Sequence, residues 1–571
     1  MAQSLQEKLR SQFPTTTLVN KTVDKRKYMP EVMIYTPKTK YNLTNDIRSY
    51  TFNRTLSKLT TDWTITLRFR YLTKEDTSQV NNFKYRITWL DLINNFDFIR
   101  IGMRKWQQKS SIKNTKEINQ SESPEYVLSG IVRRIRQKKT IGTNSVDSDI
   151  VISGTTFGGI LSTAQIFFHP NLPDTQAILG GKQYADLLQY SGTADQMITK
   201  LLSTFIYGRP EGKPPINGIN FIGSKEKSKK QEWFDIGAKI QPGIFEGTMS
   251  ANLTVNMTET TTLEQCIQPM IEKPFIECFA ETNTSTGTEE IHIRVAPFSS
   301  ESFTRATAGD VCININAEDI VDEQIATSDA EAYNLFFCTP AGFDIVGDKI
   351  SMNTMPIFIN DNWIKYIKNK FKNSISEKYA SADTYGVRNL TVQSRYIRLF
   401  DTQQTVIPEN IGDKASDIAE KSNALQVIMA EWFVMGHLFR SGTLVIKGQP
   451  SIKVGKYIKV GDKRAGNQYI YYVVGKTESW TYDGARYTQS LMVIRGLPAS
   501  FKIGDKTTDY AALTLEIRNE VQIMLTKMQK TPTFGITGII SEPGLTEMEF
   551  VPQLDNNIFQ NIIIDETELD Y

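Results

Sequence analysis

Three histidines, His169, His292 and His437, are the residues best suited by type to ligate a metal or carry a proton. A zinc centre or a histidine-based acid–base pair needs partners at close helical spacing, and no HxxxH or HExxH pattern joins them. His169 precedes Pro170, His292 alternates within a strand-like run, and His437 ends an apolar stretch. Each reads as structural. The cysteines Cys266, Cys278, Cys312 and Cys338 form no CxxC and no metal spacing, which fits reduced, partly buried thiols. A Cys–His nucleophilic pair would have to assemble in space, and nothing in the order of residues favours one. Gly154-Thr-Thr-Phe-Gly-Gly mimics a phosphate loop but lacks the Gly-Lys-Ser/Thr that holds phosphate and metal, so it reads as a turn leading into a helix. The carboxylate pairs Glu289-Glu290 and Glu318-Asp319 are ordinary surface features without a pocket to give them a role. The expectation is a non-enzyme, with no catalytic residue, no metal ligand and no cofactor.

The elements that carry these residues are mostly strands. A chain of 571 residues exceeds one ordinary core, so several domains are expected. Its apolar content of 40% and aromatic content of 10% exclude wholesale disorder. The formal net charge is only +2 but is unevenly placed. Basic clusters occur at Arg133, Arg134, Arg136, Lys138 and Lys139 and at Lys225, Lys227, Lys229 and Lys230. After Lys530 there is no Lys or Arg, while Glu542, Glu547, Glu549, Asp555, Asp565, Glu566, Glu568 and Asp570 accumulate. Such asymmetry suggests docking between copies or onto a partner of opposite sign; solvated loops and an acidic tail are the plainer alternative. Residues 1–18 lack the apolar core of a signal peptide, and the apolar run 424–439 is interrupted by Gln426, Glu431 and His437. A soluble chain with no membrane anchor is expected.

Trp63, Ile65, Leu67, Phe69 and Tyr71 alternate with polar residues in a strict period of two, the mark of a strand with one buried face. Residues 98–102, 126–135 and 149–153 are further strand candidates, and 105–124 reads as an exposed loop. Residues 193–207 have helical spacing. Thr261-Thr-Leu-Glu reads as a capping box opening a helix to about residue 272, followed by strands at 275–281 and 290–295. Strands resume at 320–326 and 332–338, with helices expected at 362–379 and 415–439. Between 441 and 460, Leu444, Ile446, Ile452 and Val454 alternate while Gly448, Pro450 and Gly455 punctuate, which reads as short antiparallel strands joined tightly. Residues 470–480 and 486–495 flank Asp483-Gly484, a hairpin signal. A helix is expected at about 511–527, and the apolar but Gly- and Pro-broken stretch beyond it reads as an extended arm that docks on another surface.

The segment Gly442–Gly455, followed by Tyr471-Tyr472-Val473 and by Arg495-Gly496, resembles the closing barrel of baseplate hub proteins from contractile phage tails and related injection systems. The helix-plus-hairpin stretch ending Arg294-Val-Ala-Pro-Phe is similar to the module those proteins carry before their second barrel. The resemblance covers roughly residues 60–496. It implies a mainly β, α+β chain with two tube-type antiparallel β-barrels, helical insertions and an extended C-terminal arm. The corresponding divisions are 1–160, first barrel; 161–258, helical insertion and linker; 259–300, helix plus hairpin; 301–500, second barrel with an insertion at about 360–440; and 501–571, helix and acidic arm. Gly442, Gly448, Pro450, Gly455, Gly484 and Gly496 are then barrel turn positions.

In function, the resemblance implies a homotrimeric ring that adapts a sixfold tail tube to a threefold central spike. Its partners would be the spike, the tail tube or tube-initiator protein, and tape-measure and wedge proteins, with no specific nucleic acid. Its location would be the virion baseplate, after assembly in the host bacterial cytoplasm. A nucleic-acid-binding assembly factor and a hub-associated cell-wall-degrading enzyme are the alternatives. For the first, basic runs near aromatics such as Lys105-Trp106 could track phosphates, but no stacking motif accompanies them.

Overall fold

The computed structural model describes residues 28–36, 39–72, 86–105, 123–141, 146–163, 165–166, 198, 202, 236–240, 261–271, 273–298, 300–308, 312–340, 357–359, 380–394, 422, 425–426, 428–461, 468–483, 486–501, 539–540 and 548–549. The chain is mainly β, of α+β class. A first strand set comprises β1 (Tyr28–Tyr35), β2 (Lys40–Asn42), β3 (Ile47–Thr55), β4 (Asp62–Arg68), β5 (Phe98–Lys105), β6 (Glu125–Ile141) and β7 (Val146–Thr156). A middle module follows. Here β8 (Gln165–Ile166) pairs with β10 (Thr261–Thr262), and β9 (Ile236–Ile240) lies parallel to one strand of the hairpin β11 (Ile276–Thr282) and β12 (Glu289–Val295). The second set holds β13 (Ile313–Ile315), β14 (Ile320–Thr327), β18 (Arg440–Lys447), β19 (Tyr457–Val460), β20 (Tyr469–Thr481) and β21 (Arg486–Pro498). A three-stranded insertion separates its parts: β15 (Leu335–Pro340), β16 (Ile357–Phe358) and β17 (Asn389–Ser394).

Both sets belong to one 13-stranded sheet, ordered β14-β18-β21-β20-β3-β4-β7-β6-β5-β1-β2, with β19 on β20 and β13 on β19. The two expected barrels are thus two open strand sets. No pairing among the described residues closes either one: β3, the edge of the first set, pairs with β20 of the second, and β14, the edge of the second, pairs only with β18.

The two sets repeat each other. The path β3-β4-β7-β6-β5-β1 has the same connectivity as β14-β18-β21-β20-β19-β13, and their registers coincide. Ile65 opposite Ile152 answers to Leu444 opposite Leu491, and Trp63 opposite Gly154 to Gly442 opposite Val493. Ile135 opposite Ile152 answers to Lys476 opposite Leu491, and Phe98 opposite Ile131 to Tyr457 opposite Tyr472. Even the bulges recur. Arg48 bulges on β3 and Val321 on β14, each directly after a 3-10 turn (Thr44–Asp46 and Ala317–Asp319) and the first strand residue. Arg133 bulges on β6 and Val474 on β20. A bulge sets local twist and bend, so matching bulges mean matching curvature. The outermost pair departs from the repeat: β1 runs antiparallel to β5, whereas β13 runs parallel to β19. The irregularities at residues 470–472, 440–442 and 101–102 also have no counterpart.

Local structure corrects several expectations. The cap is one residue later than expected: Thr262 Oγ1 accepts from the Gln265 N–H at 3.3 Å and Gln265 Oε1 from the Thr262 N–H at 2.9 Å. That helix, Leu263–Ile267, then tightens to a 3-10 turn at Gln268–Met270, because Pro269 removes a backbone donor. Ile452 and Val454 are buried in a turn, not a strand, and β18 and β19 are not partners. They flank the β20–β21 hairpin on opposite sides, so the glycine-punctuated residues between them form a crossover. The basic run 133–139 lies on strand β6, which extends well past residue 135 because β7 pairs it throughout. Ile198 and Leu202 are helical and buried, as spacing indicated, and the 415–439 helix ends by Phe433. The 105–124 loop (beyond its ends) and the helices at 362–379 and 511–527 lie outside the described residues. So does the arm, apart from the short strand pair Ile539–Ile540 and Met548–Glu549.

Candidate functional site at the seam of the two strand sets

The seam is where one chain joins its two halves. Strand β20 is long enough to serve both: residues 469–472 pair with β19, and residues 475–481 pair with β3 from Thr55 back to Ser49. The β11–β12 hairpin packs over this seam, and every residue of β11 is buried. A strand buried on both faces that still carries Glu277 and Glu281 must neutralise those carboxylates locally.

Arg54 of β3 does so from the first half. Its guanidinium donates to Glu289 through Nη1 at 2.9 Å and Nη2 at 3.1 Å, to the Ala280 carbonyl at 2.8 Å and to Thr282 Oγ1 at 2.6 Å. Lys476, opposite Arg54 on β20, donates to the Ile452 carbonyl at 3.0 Å and lies 3.4 Å from Glu478 and 3.9 Å from Glu281. Glu281 also accepts the Val454 N–H at 3.1 Å. Glu478 accepts from Tyr487 at 2.7 Å, Tyr50 at 3.3 Å and Gln489 at 3.0 Å. Lys453 adds a third cation and donates to the Thr282 carbonyl at 2.9 Å. Charges therefore balance: Arg54, Lys476 and Lys453 face Glu281, Glu289 and Glu478.

A second clasp lies alongside. Glu277 accepts from Tyr472 at 2.7 Å and from Arg294 at 3.1 Å, and Arg294 also donates to the Gly455 carbonyl at 2.6 Å. The hairpin's turn reaches the first half, where Ser129 donates to the Gly287 carbonyl at 2.5 Å. These bonds join the first strand set, the middle module and the second strand set.

Burial raises the Glu281 pKa, but the charges of Lys476, Arg54 and Lys453 and the Val454 N–H outweigh it and hold it below the ordinary 4.5. A depressed carboxylate adds stability above its unfolded value and loses it as pH falls through the folded value. The stability gap between wild type and Glu281→Gln is therefore expected to be full at neutral pH and to shrink steadily below about pH 4.5. Urea midpoints measured from pH 7 to pH 3 check this; a gap independent of pH would contradict it.

The glycines singled out in the sequence fall in the second strand set. Gly442 sits on β18 against β14, where a Cβ would lie 2.0 Å from the Gln324 carbonyl oxygen, and Gly496 opposes Arg440 across a register shift between Arg440 and Gly442. Gly448 follows β18 and its N–H donates to the Tyr487 carbonyl at 2.8 Å. Pro450 is buried in the turn beyond. Gly455 has φ +74° and lies at the seam. Gly484 is outside the described residues. They mark turns and close approaches and do not gather into one cluster.

The residues first weighed for chemistry are placed as follows. His292 stacks on Phe279 with ring centroids 5.0 Å apart, and the His437 ring lies against Tyr385; His169 is outside the described residues. Burial pushes the thiol of Cys266 up to about 11 and those of Cys278 and Cys312 up to about 12, away from nucleophilic range. Gly158 forms the turn that opens the helix Gly159–Thr163. Glu289 is buried on Arg54, and Asp319 lies 3.5 Å from Lys447. No cluster of metal-ligating side chains occurs among the described residues, and no helix there is long and apolar enough to cross a membrane. Arg54, Lys476, Glu478 and Glu281 had escaped the sequence analysis. Their signal was present: Tyr50, Phe52 and Arg54 share one strand phase, as do Lys476, Glu478 and Trp480.

No family model matches the chain, and no curated protein does. Solved structures do. They include tail proteins and secretion-system components. A 43 kDa tail protein of prophage MuSo2 from Shewanella oneidensis aligns over 83% of this chain and 100% of its own, at 9% identity and TM-score 0.38. A tail protein from Neisseria meningitidis MC58 aligns over 82% and 96%, at 9% identity and TM-score 0.39. An E. coli type VI secretion component, described as similar to bacteriophage T4 tail proteins gp27 and gp5, covers 81% and 76% at 9% identity and TM-score 0.27. Superpositions this loose leave the weight on the chain's own duplicated register.

Proposed function

We propose that this chain is a structural, non-catalytic baseplate hub subunit of a contractile tail or injection system. Three copies close into a ring that presents six similar strand sets to a sixfold tail tube and a threefold face to a central spike. The observation that carries this is the duplication: two strand sets with one connectivity, four corresponding registers and corresponding bulges sit edge to strand in a single chain. A chain built of two quasi-equivalent halves supplies an even number of staves, and three such chains supply six. The division into modules at 1–160 and 301–500, with the glycines as turn positions, belongs to the same proposal. Its partners are the spike and the tail tube or tube-initiator protein, with tape-measure and wedge proteins nearby, in the baseplate of a virion.

Sedimentation equilibrium of the purified chain at micromolar concentration is expected to give three times the chain mass, with end-on particle averages showing six lobes. A stable monomer, or an even-numbered oligomer, would remove the basis of the ring.

A further inference from the structure

Within one chain, β3 is held on the far half of β20. The repeat contains the same two places once more. The counterpart of β3 is β14, and the counterpart of the far half of β20 is the far half of β6. Among the described residues, β14 pairs only with β18, and β6 from Arg134 to Ile141 pairs only with β7. Both stretches are open on their side chains as well: Arg134, Arg136, Gln137, Lys138 and Lys139 are exposed, as are Val321, Asp322, Glu323 and Gln324. Long exposed edges of this kind are normally covered. They lie seven strand positions apart in the same sheet and do not pair with each other within one copy. Their charges are opposite, with four exposed cations on β6 and Asp322 and Glu323 on β14, next to Glu318.

We propose that β14 of one copy adds antiparallel to the far half of β6 of the next, in the register of β3 on β20; this rests on the ring described above. Carrying Thr481/Ser49, Trp480/Tyr50 and Ser479/Thr51 through the repeat places Asp322 opposite Thr140, Glu323 opposite Lys139 and Gln324 opposite Lys138. Lys139 and Glu323 form a direct cross-strand ion pair, and Asp322 is diagonal to Lys138. The contact is head-to-tail, so three repetitions close a ring and leave neither edge open. The seam also fixes which pairs approach most closely. There the Tyr482 N–H donates to the Arg48 carbonyl at 2.7 Å and the Leu56 N–H to the Val474 carbonyl at 2.8 Å. Ser479/Thr51 is then a non-hydrogen-bonded pair, as is Lys138/Gln324 between copies. Such pairs have Cα atoms about 4.5 Å apart, within disulfide reach.

The test is the full-length chain carrying Lys138→Cys and Gln324→Cys, oxidised mildly and run without reductant. A covalent trimer is expected, and none from Lys139→Cys with Gln324→Cys, whose side chains leave opposite faces. Separately, Lys139→Glu is expected to weaken association roughly tenfold per interface, and Glu323→Lys in the same chain to restore it. A sedimenting trimer without the cross-link would overturn this pairing and leave the ring standing. A monomer without the cross-link would overturn both, and a bridge confined to the monomer band would overturn the pairing. If Lys138→Glu with Lys139→Glu leaves the trimer intact but abolishes binding to duplex DNA, the basic strand serves nucleic acid and the pairing fails.

Discussion

Replacing Arg54 by methionine is expected to destabilise the chain by about 3–5 kcal/mol, because it strips the partner from buried carboxylates. The size follows from what surrounds the guanidinium. Glu289 is fully buried and Glu281 nearly so, and Arg54 itself is about as inaccessible, at 1% exposure. Pairing offsets the cost of their burial: two hydrogen bonds to Glu289 and one each to Ala280 and Thr282 occupy both terminal nitrogens of Arg54, while its Nε makes no hydrogen bond and lies 3.6 Å from Glu281. Methionine fills much of the volume, so the loss is electrostatic and not a cavity. Arg54→Lys is expected to recover little, since an ammonium cannot reproduce the bidentate contact. Adding Glu289→Gln to Arg54→Met removes the orphaned charge, and the double variant is expected to be clearly more stable than the sum of the singles. Urea midpoints for the four proteins measure this, and strict additivity would mean the pair does not act as a unit. The loss also detaches the β11–β12 hairpin from β3, so the yield of the proposed trimer is expected to fall with stability.

How much of this was legible in the sequence depends on whether one face of each element was buried. Strand β4 was, because Trp63, Ile65 and Leu67 point to the core while Thr64 and Thr66 do not. The β20–β21 hairpin was, because both strands are long and a turn dipeptide joins them. The far half of β6 was not: with residues 136–139 exposed on both faces, it has no period of two to read. Ile452 and Val454 misled in the opposite sense, since a turn crossing under the hairpin buries alternate residues as a strand would.

The repeat itself was hidden because only backbone geometry is duplicated. Trp63 faces Gly154 in the first set, where a Cβ on Gly154 would lie 2.5 Å from the indole; at the matching place Gly442 faces Val493. The small residue has changed strands. The bulges are Arg48 and Val321 in one case and Arg133 and Val474 in the other, so no residue type marks them. The seam could have been found, because an Arg or Lys in the phase of buried aromatics demands a buried partner. Which partner it takes is decided by a hairpin more than two hundred residues away, and no local pattern contains that.

Gly455→Val is expected to cost roughly 2–5 kcal/mol, as a left-handed backbone penalty and an overpacking penalty added together. Gly455 has φ +74°, and a Cβ there would lie 2.6 Å from Phe279 and 2.8 Å from the Arg294 guanidinium. Neither neighbour can yield freely. Phe279 is stacked on His292, and Arg294 is held by Glu277, Tyr472 and the Gly455 carbonyl itself. Gly386 separates the two contributions, since it has φ +72° and a methyl added there would meet nothing within 4 Å. Gly386→Ala therefore reports a positive-φ penalty without a collision, about 1–3 kcal/mol at its ψ of 173°, and Gly455→Ala is expected to cost more because a collision adds to its own positive-φ penalty. Because the colliding groups belong to the middle module, Gly455→Val is further expected to loosen the β11–β12 hairpin. Amide exchange in residues 276–295 should accelerate while β4 and β7 stay protected. Equal effects at the two glycines, or uniform exchange across the sheet, would show that Gly455 shapes only its own turn.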